Sequence, residues 1–245
     1  MSQSVKTAIV TGASRGIGAA IARRLAQDGL AVIVNYAGST EAATSFVRDI
    51  TIQGGKAIAL QADVSDAAQV KMLFDAAEAE FGGIDVLVNN AGVMVLSSLA
   101  NVEDETIDRQ IDINLKGTIN TLRQAANRLR SGGRVVNLST SVVGLKLESY
   151  GVYAATKAAV EALTGIMAKE MRGRNITVNA VAPGPTATDL FINGKSDELI
   201  ARLAQMNPLE RLGTPEDIAA AVSFLSGPDG AWINGQVLRA NGGMV

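Results

Sequence analysis

Apolar and polar positions change period in a regular order along this chain. Short β-branched runs over 6–10, 31–35, 57–61, 84–88, 134–138, 176–181 and 235–239 predict strands. Longer stretches between them carry helical spacing. Ile17, Ile21 and Leu25 share one face, with Arg23, Arg24 and Gln27 elsewhere. Further helices are predicted over 40–53, 65–81, 101–129, 151–172 and 215–225, and 188–206 is a looser stretch. Gly29, Gly54-Gly55 and Gly82-Gly83 each close a helix. Alternation of this kind, with short turns, predicts an α/β fold: a doubly wound, Rossmann-like parallel sheet covered on both faces. No linker, composition shift or repeat divides it, so 1–245 reads as one three-layer domain.

Composition narrows the chemistry. The 245 residues include no cysteine and no histidine, which removes disulfides, thiolate catalysis and thiolate or imidazole metal sites. Only carboxylates remain as metal ligands, and no tight Asp/Glu cluster suggests a metal. Net charge is −2 without a basic block, which argues against nucleic acid as a partner. Residues 1–6 lack a long apolar run, so no signal peptide is expected. No stretch approaches a membrane span, so no membrane partner and a cytoplasmic location are expected.

The polar and Gly-rich residues fall at the carboxyl ends of strands, the edge where open α/β sheets bind ligands. The first such turn runs Thr11-Gly12-Ala13-Ser14-Arg15-Gly16-Ile17-Gly18. Its glycines allow a pyrophosphate to approach the backbone at a helix N-terminus. The spacing is G-x3-G-x-G rather than the general dinucleotide fingerprint, and a merely tight turn is the alternative. After the second strand, an acidic residue would bind the ribose 2′-OH of NAD. This chain has Asn35-Tyr36-Ala37-Gly38-Ser39, where nothing repels a 2′-phosphate. Arg15 can reach such a phosphate and Ser39 can donate to it, which favours NADP(H) over NAD(H). Asp63 can accept from the adenine amino group or cap the next helix. In Tyr153-Ala-Ala-Thr-Lys157, a helix sets a phenol beside an ammonium. The positive charge is expected to lower the tyrosine pKa toward working pH. The bland alternative is an aromatic packed under a solvated lysine.

The glycine turn, Asp63-Val64, Asn89-Asn90-Ala91-Gly92, Asn114, Tyr153-x3-Lys157 and Pro183-Gly-x3-Thr188 occur in order across nearly the whole chain. Together they resemble the short-chain dehydrogenase/reductase family, near its 3-oxoacyl-carrier-protein reductases and tetrahydroxynaphthalene-reductase-like enzymes. The ending, Gly235 to Gly243, also looks like that branch, although Asp is commoner than Asn at position 241. The resemblance implies hydride transfer between nicotinamide and a ketone or secondary alcohol. Tyr153 would be the acid/base. Lys157 would lower its pKa and hold the nicotinamide ribose, and Asn114 would hold a water in the proton relay. Asn90, Ala91 and Gly92 would line the adenosine-ribose side, with Asp63 and Val64 nearby. Ile17, Pro183, Gly184, Thr186 and Thr188 would seat the nicotinamide. The family has a serine about 13 residues before its tyrosine. Counting lands on Thr140, whereas Ser141-Val-Val-Gly144 looks locally like the usual serine segment. Thr140 is preferred because counts from both ends agree, Ser141 stays open, and Ser139 is the outsider. Residues 188–213 would cover the site as an apolar lid, with Glu198 and Arg202 free to pair on its outer face. The resemblance also implies a homotetramer built on the helices over 101–129 and 153–172. Two other readings remain: NAD-dependent oxidation of a sugar alcohol, and a non-catalytic cofactor-sensing protein.

Overall fold

Seven parallel strands form one sheet, in the order β3-β2-β1-β4-β5-β6-β7. They are β1 (Thr7–Val10), β2 (Ala31–Tyr36), β3 (Lys56–Gln61), β4 (Ile84–Asn89), β5 (Leu129–Leu138), β6 (Thr177–Pro183) and β7 (Val237–Ala240). The computed structural model describes residues 5–245; the run Met1-Ser2-Gln3-Ser4, on which the signal-peptide expectation partly rests, lies outside them. The strand order reverses between β1 and β4, which opens a crevice at their carboxyl ends.

Helices cover both faces, and alternation within the strands explains how. Ala8 and Val10 point to one face, where they meet Ile21 and Leu25 of α1 (Gly16–Gln27). Phe46 of α2 (Thr40–Ile52) and Val222 of α10 (Pro215–Ser226) close that layer. Ile9 points to the other face, onto Phe74 of α3 (Ala67–Phe81), Leu122 of α5 (Gly117–Arg128) and Met167 of α7 (Gly151–Glu170). The remaining helices are short: α4 (Asp104–Gln110), α6 (Val142–Leu145), α8 (Asp189–Ile192) and α9 (Asp197–Ala204). None of the described helices is long and apolar enough to cross a membrane.

Several boundaries differ from the sequence reading, each for a local reason. The single helix expected over 101–129 is broken. A π-helical segment, Ile111–Lys116, joins α4 to α5, and Asn114 within it is fully buried. The helix expected from 65 starts at Ala67, because Asp66 caps it by accepting from the N–H groups of Ala68 (2.8 Å) and Gln69 (3.2 Å). β5 starts at Leu129 instead of 134, and its register against β4 shifts between Ile84 and Val86. The helix expected to reach 172 ends at Glu170. The pairing expected between Glu198 and Arg202 does not occur among the described residues. The Glu198 carboxylate accepts instead from Ser196 at the start of α9, which holds it below the usual carboxylate range.

Three hydrogen bonds sew α7 to the end of β5. Lys157 Nζ donates to Leu138 O (2.8 Å), Ser139 Oγ to Glu161 Oε1 (2.6 Å) and Asn137 Nδ2 to Thr164 Oγ1 (2.9 Å). Residues 157, 161 and 164 recur at helical spacing, so one stripe of α7 makes all three. The ladder continues inward, from Asn89 Nδ2 to Asn137 Oδ1 (2.9 Å) and from Thr121 Oγ1 to Asn89 Oδ1 (2.7 Å). Asn137→Ala strips the buried Asn89 amide of its acceptor. It should cost about 2–3 kcal/mol, read as a lower urea midpoint at unchanged slope. An unchanged midpoint would show that the ladder carries no stability.

Candidate active site

The turn between β1 and α1 is shaped by contacts that leave no room for side chains. Gly12 has φ +62°, and a Cβ there would fall 2.9 Å from Ala91 Cα. A Cβ on Gly18 would fall 2.4 Å from Gly12 O and 2.5 Å from Asn90 Nδ2. Asn90 ties the turn to β4, donating to Thr11 O (2.9 Å) and Gly12 O (3.0 Å). Arg15 stands at the N-cap of α1 without a side-chain cap, so first-turn N–H groups of α1 stay open. That is the donor set a pyrophosphate needs. Arg15 is exposed, and none of the described hydrogen bonds or ion pairs engages its guanidinium.

At the end of β2 the expected residues divide. Asn35 is buried and spends its amide on the fold. Its Oδ1 accepts from Gly12 N (3.3 Å), and its Nδ2 donates to Leu60 O (3.3 Å) and Ala62 O (3.0 Å). Tyr36 is buried, whereas Ala37 and Ser39 are exposed. Ser39 caps α2 by accepting from Ala42 N (3.2 Å), which leaves its O–H to donate. Asp63 accepts from Ser65 N (2.9 Å) and Ser65 Oγ (2.7 Å), next to the buried Val64. Asp66, not Asp63, caps the helix that follows.

The ends of β4, β5 and β6 bring the remaining residues together. Gly92 sits against two of them: a Cβ there would lie 3.2 Å from Asn114 Oδ1 and 3.5 Å from Lys157 Nζ. Asn114 accepts from Val93 N (2.8 Å) and donates to Val93 O (2.9 Å) and Thr156 Oγ1 (3.2 Å). Its own carbonyl takes the Thr118 hydroxyl at 2.8 Å. The two candidate hydroxyls sit in different surroundings. Thr140 Oγ1 accepts from Val142 N (3.3 Å), and its hydroxyl is near enough to Tyr153 to pull the phenol downward. Ser141 faces the other way: its one hydrogen goes to Ala182 O (3.2 Å), and its oxygen accepts from Asn241 Nδ2 (2.9 Å). Ser139 is committed to Glu161. Gly184 approaches Asn241, Thr186 donates to Gly184 O (2.9 Å), and Thr188 caps α8 near Gly16.

Comparisons with known proteins agree with this arrangement. A family model described as enoyl-(acyl carrier protein) reductase matches residues 12–245. A short-chain type dehydrogenase/reductase of Picea abies is 45% identical, over 98% of this chain and 92% of that protein. An Arabidopsis thaliana protein named NADPH-dependent aldehyde reductase 2, chloroplastic, is 44% identical over 98% and 94%. A short-chain dehydrogenase of Burkholderia cenocepacia, solved in complex with NADP, superimposes with a TM-score of 0.92 at 39% identity, over 98% and 97% of the two chains. The chain belongs to the short-chain dehydrogenase/reductase family. It is an oxidoreductase built on that family's fold.

The electrostatics of this dehydrogenase/reductase site reverse one expectation. Burial pushes the Tyr153 phenol up to about 12, against the downward pull of the nearby Thr140 hydroxyl and with a further push from Tyr150. Tyr153 is half-buried as a residue, with its hydroxyl in the enclosed part. Burial pulls the Lys157 ammonium down to about 8. The lysine was expected to lower the tyrosine. Instead it aims at Leu138 O and lies 6.0 Å from the tyrosine ring centre, so desolvation of the phenolate dominates. Lys157 carries three N–H donors and spends one, which leaves two in a buried place. Such donors suit a pair of ribose hydroxyls.

Two neighbours escaped the sequence reading. Tyr150 lies with its ring centre 6.4 Å from that of Tyr153. The spacing of three in Tyr150-Gly-Val-Tyr153 was the available signal. Asn241 contacts Ser141 from 100 residues away, and nothing local announces it. The site makes a direct prediction. In the protein alone, the phenolate absorbance lost on Tyr153→Phe should appear only as pH approaches about 12. Appearance below the ordinary tyrosine value of 10.0 would overturn the burial argument.

Proposed function

We propose that the protein is an NADP(H)-dependent reductase of ketones or aldehydes, acting reversibly on the corresponding alcohols, with Tyr153 as general acid/base. The observation that carries this reading is the buried Lys157, with two unspent donors, one helical turn after Tyr153 and beside Gly92. When bound, the nicotinamide supplies the hydride or accepts it. Tyr153 gives its proton to the carbonyl oxygen, and the Thr140 O–H donates to the same oxygen. Lys157 holds the nicotinamide ribose and offsets the charge of the phenolate that proton transfer leaves. Asn114 supports a returning proton through a water at its carbonyl, within the π-helical segment. Thr140 is chosen over Ser141 as the second donor because the Ser141 hydroxyl bonds to Ala182 O (3.2 Å).

The NADP(H) preference rests on Arg15 and Ser39. Both are exposed, Arg15 at the start of α1 and Ser39 at the start of α2, and no acid stands at the β2 end to select NAD. The Arabidopsis relative's name and the NADP in the Burkholderia structure support the same choice. The segment 188–213 is read as a lid. α9 buries none of its residues, and Ile192, Leu199, Met206 and Leu209 are exposed apolar side chains there. A segment of that kind suits an apolar substrate body.

Two experiments test the reading. With NADPH and a panel of ketones and aldehydes, Tyr153→Phe should abolish turnover while NADPH still binds. Thr140→Ala should lower kcat by about a hundredfold, and Ser141→Ala by clearly less. Equal loss from both hydroxyl variants would remove Thr140 from its role. Arg15→Ala should reduce the preference for NADPH over NADH by about tenfold to a hundredfold, measured as a ratio of dissociation constants. An unchanged ratio would place the 2′-phosphate elsewhere.

A further inference from the structure

Ser141 is held from behind by a turn that also reaches the opposite wall of the site. Asn241, buried just past β7, donates through Nδ2 to Ser141 Oγ (2.9 Å) and Val245 O (3.3 Å). Its Oδ1 accepts from Gly243 N (3.0 Å) and Met244 N (3.2 Å), which fixes the turn. Val245 then packs on α6, directly after the two hydroxyl residues: a Cβ on Gly144 would fall 2.7 Å from Val245 Cγ2. Gly242 and Gly243 face the other way, with φ of +68° and +87°. A Cβ on Gly242 would fall 2.5 Å from Asn207 Oδ1, and one on Gly243 would fall 3.3 Å from Pro208 Cγ.

Asn207 is buried and braces the turn behind α9. It donates to Ala204 O (3.0 Å) and Arg211 O (2.9 Å), and it accepts from Leu209 N (3.0 Å). Residues 241–245 therefore touch the Thr140–Ser141 loop on one side and the trailing end of the 188–213 segment on the other. A cavity of about 240 Å³, bordered by Gly184, Asn207 and Asn241, lies beside this bridge. Packing against Gly144, Asn207 and Pro208 and the hydrogen bonds of Asn241 together set its position.

We propose that Asn241 is a positioning residue, and that the 241–245 turn couples the setting of Thr140 to the seating of the 188–213 segment. The kinetic part of this inference rests on the reading of Thr140 given above; the mechanical part does not. Without the Asn241 donor, Ser141 keeps its bond to Ala182 O but loses the brace on its other side. The adjoining Thr140 hydroxyl then samples more orientations, and a displaced donor loses its advantage at the transition state.

The test uses the full chain. Asn241→Ala should lower kcat about tenfold and leave the NADPH dissociation constant unchanged. In a Thr140→Ala background it should lower kcat no further, since the two act through one hydroxyl. Asn241→Asp keeps the Oδ1 acceptor for Gly243 N and Met244 N but removes the donor to Ser141 Oγ and Val245 O, so it should lose about as much as Asn241→Ala. Amide hydrogen exchange on Asn241→Ala should quicken together in 141–145 and 207–211. Should Asn241→Ala fail to fold, Ser141→Ala cuts the same bond from the other side and takes its place. Additive losses with Thr140→Ala, full activity in Asn241→Asp, or faster exchange confined to 241–245 would each overturn the proposal. If Thr140→Ala costs nothing, the Thr140 reading falls and the exchange data alone decide the bridge.

Discussion

The bond from Lys157 Nζ to Leu138 O is the constraint on which the rest of the site depends. A buried ammonium is costly, and it persists only where the fold supplies acceptors and a rigid frame. Leu138 O supplies the acceptor at 2.8 Å. The frame comes from the same helix stripe, because Glu161 and Thr164 bond to Ser139 and Asn137 on either side of Leu138. With α7 locked in this register, Tyr153 lies one turn before Lys157, and Thr140 lies two residues beyond Leu138. Their meeting follows from the register of one helix on one strand end.

The nucleotide side obeys a different constraint, that of space. Gly12, Gly18 and Gly92 each lie where a Cβ would press on Ala91, Asn90 or Asn114. The chain between β1 and β4 is thus drawn tight before any ligand arrives. Asn35 belongs to this framework, since its amide spans the β1 turn and the end of β3. Arg15 and Ser39, the residues proposed for the ribose end, are exposed and stand outside this framework.

Much of this was legible along the chain, and the reasons are physical. Period and punctuation placed all seven strands and the major helices, because each buries a face whose spacing is written locally. The π-helical segment was not legible: Ile111 to Lys116 has ordinary helical composition, and its extra residue is absorbed by long-range contacts of Asn114 with Val93 and Thr156. The early start of β5 hid behind Gly132-Gly133, which reads as a turn. Neighbouring spacing put Tyr153 beside Lys157 but gave the wrong sign for the phenol, since burial depth is a property of the whole fold. Counting pointed to Thr140 and local sequence to Ser141, because a residue index cannot say which way a hydroxyl points. The bond of Ser141 to Asn241, 100 residues away, is not written in either.

One helix also has two audiences. The inner stripe of α7 carries Lys157, Glu161 and Thr164 toward β5, while Gly151, Val152 and Ala155 line an apolar groove of about 420 Å³ shared with Leu99, Ile107 and Ile111. Tyr153 and Thr156 sit between these faces in sequence. A single rigid rod thus serves as the wall of the reaction chamber and the floor of an outer furrow. The side chains that shape the furrow and those that shape the chamber share one backbone.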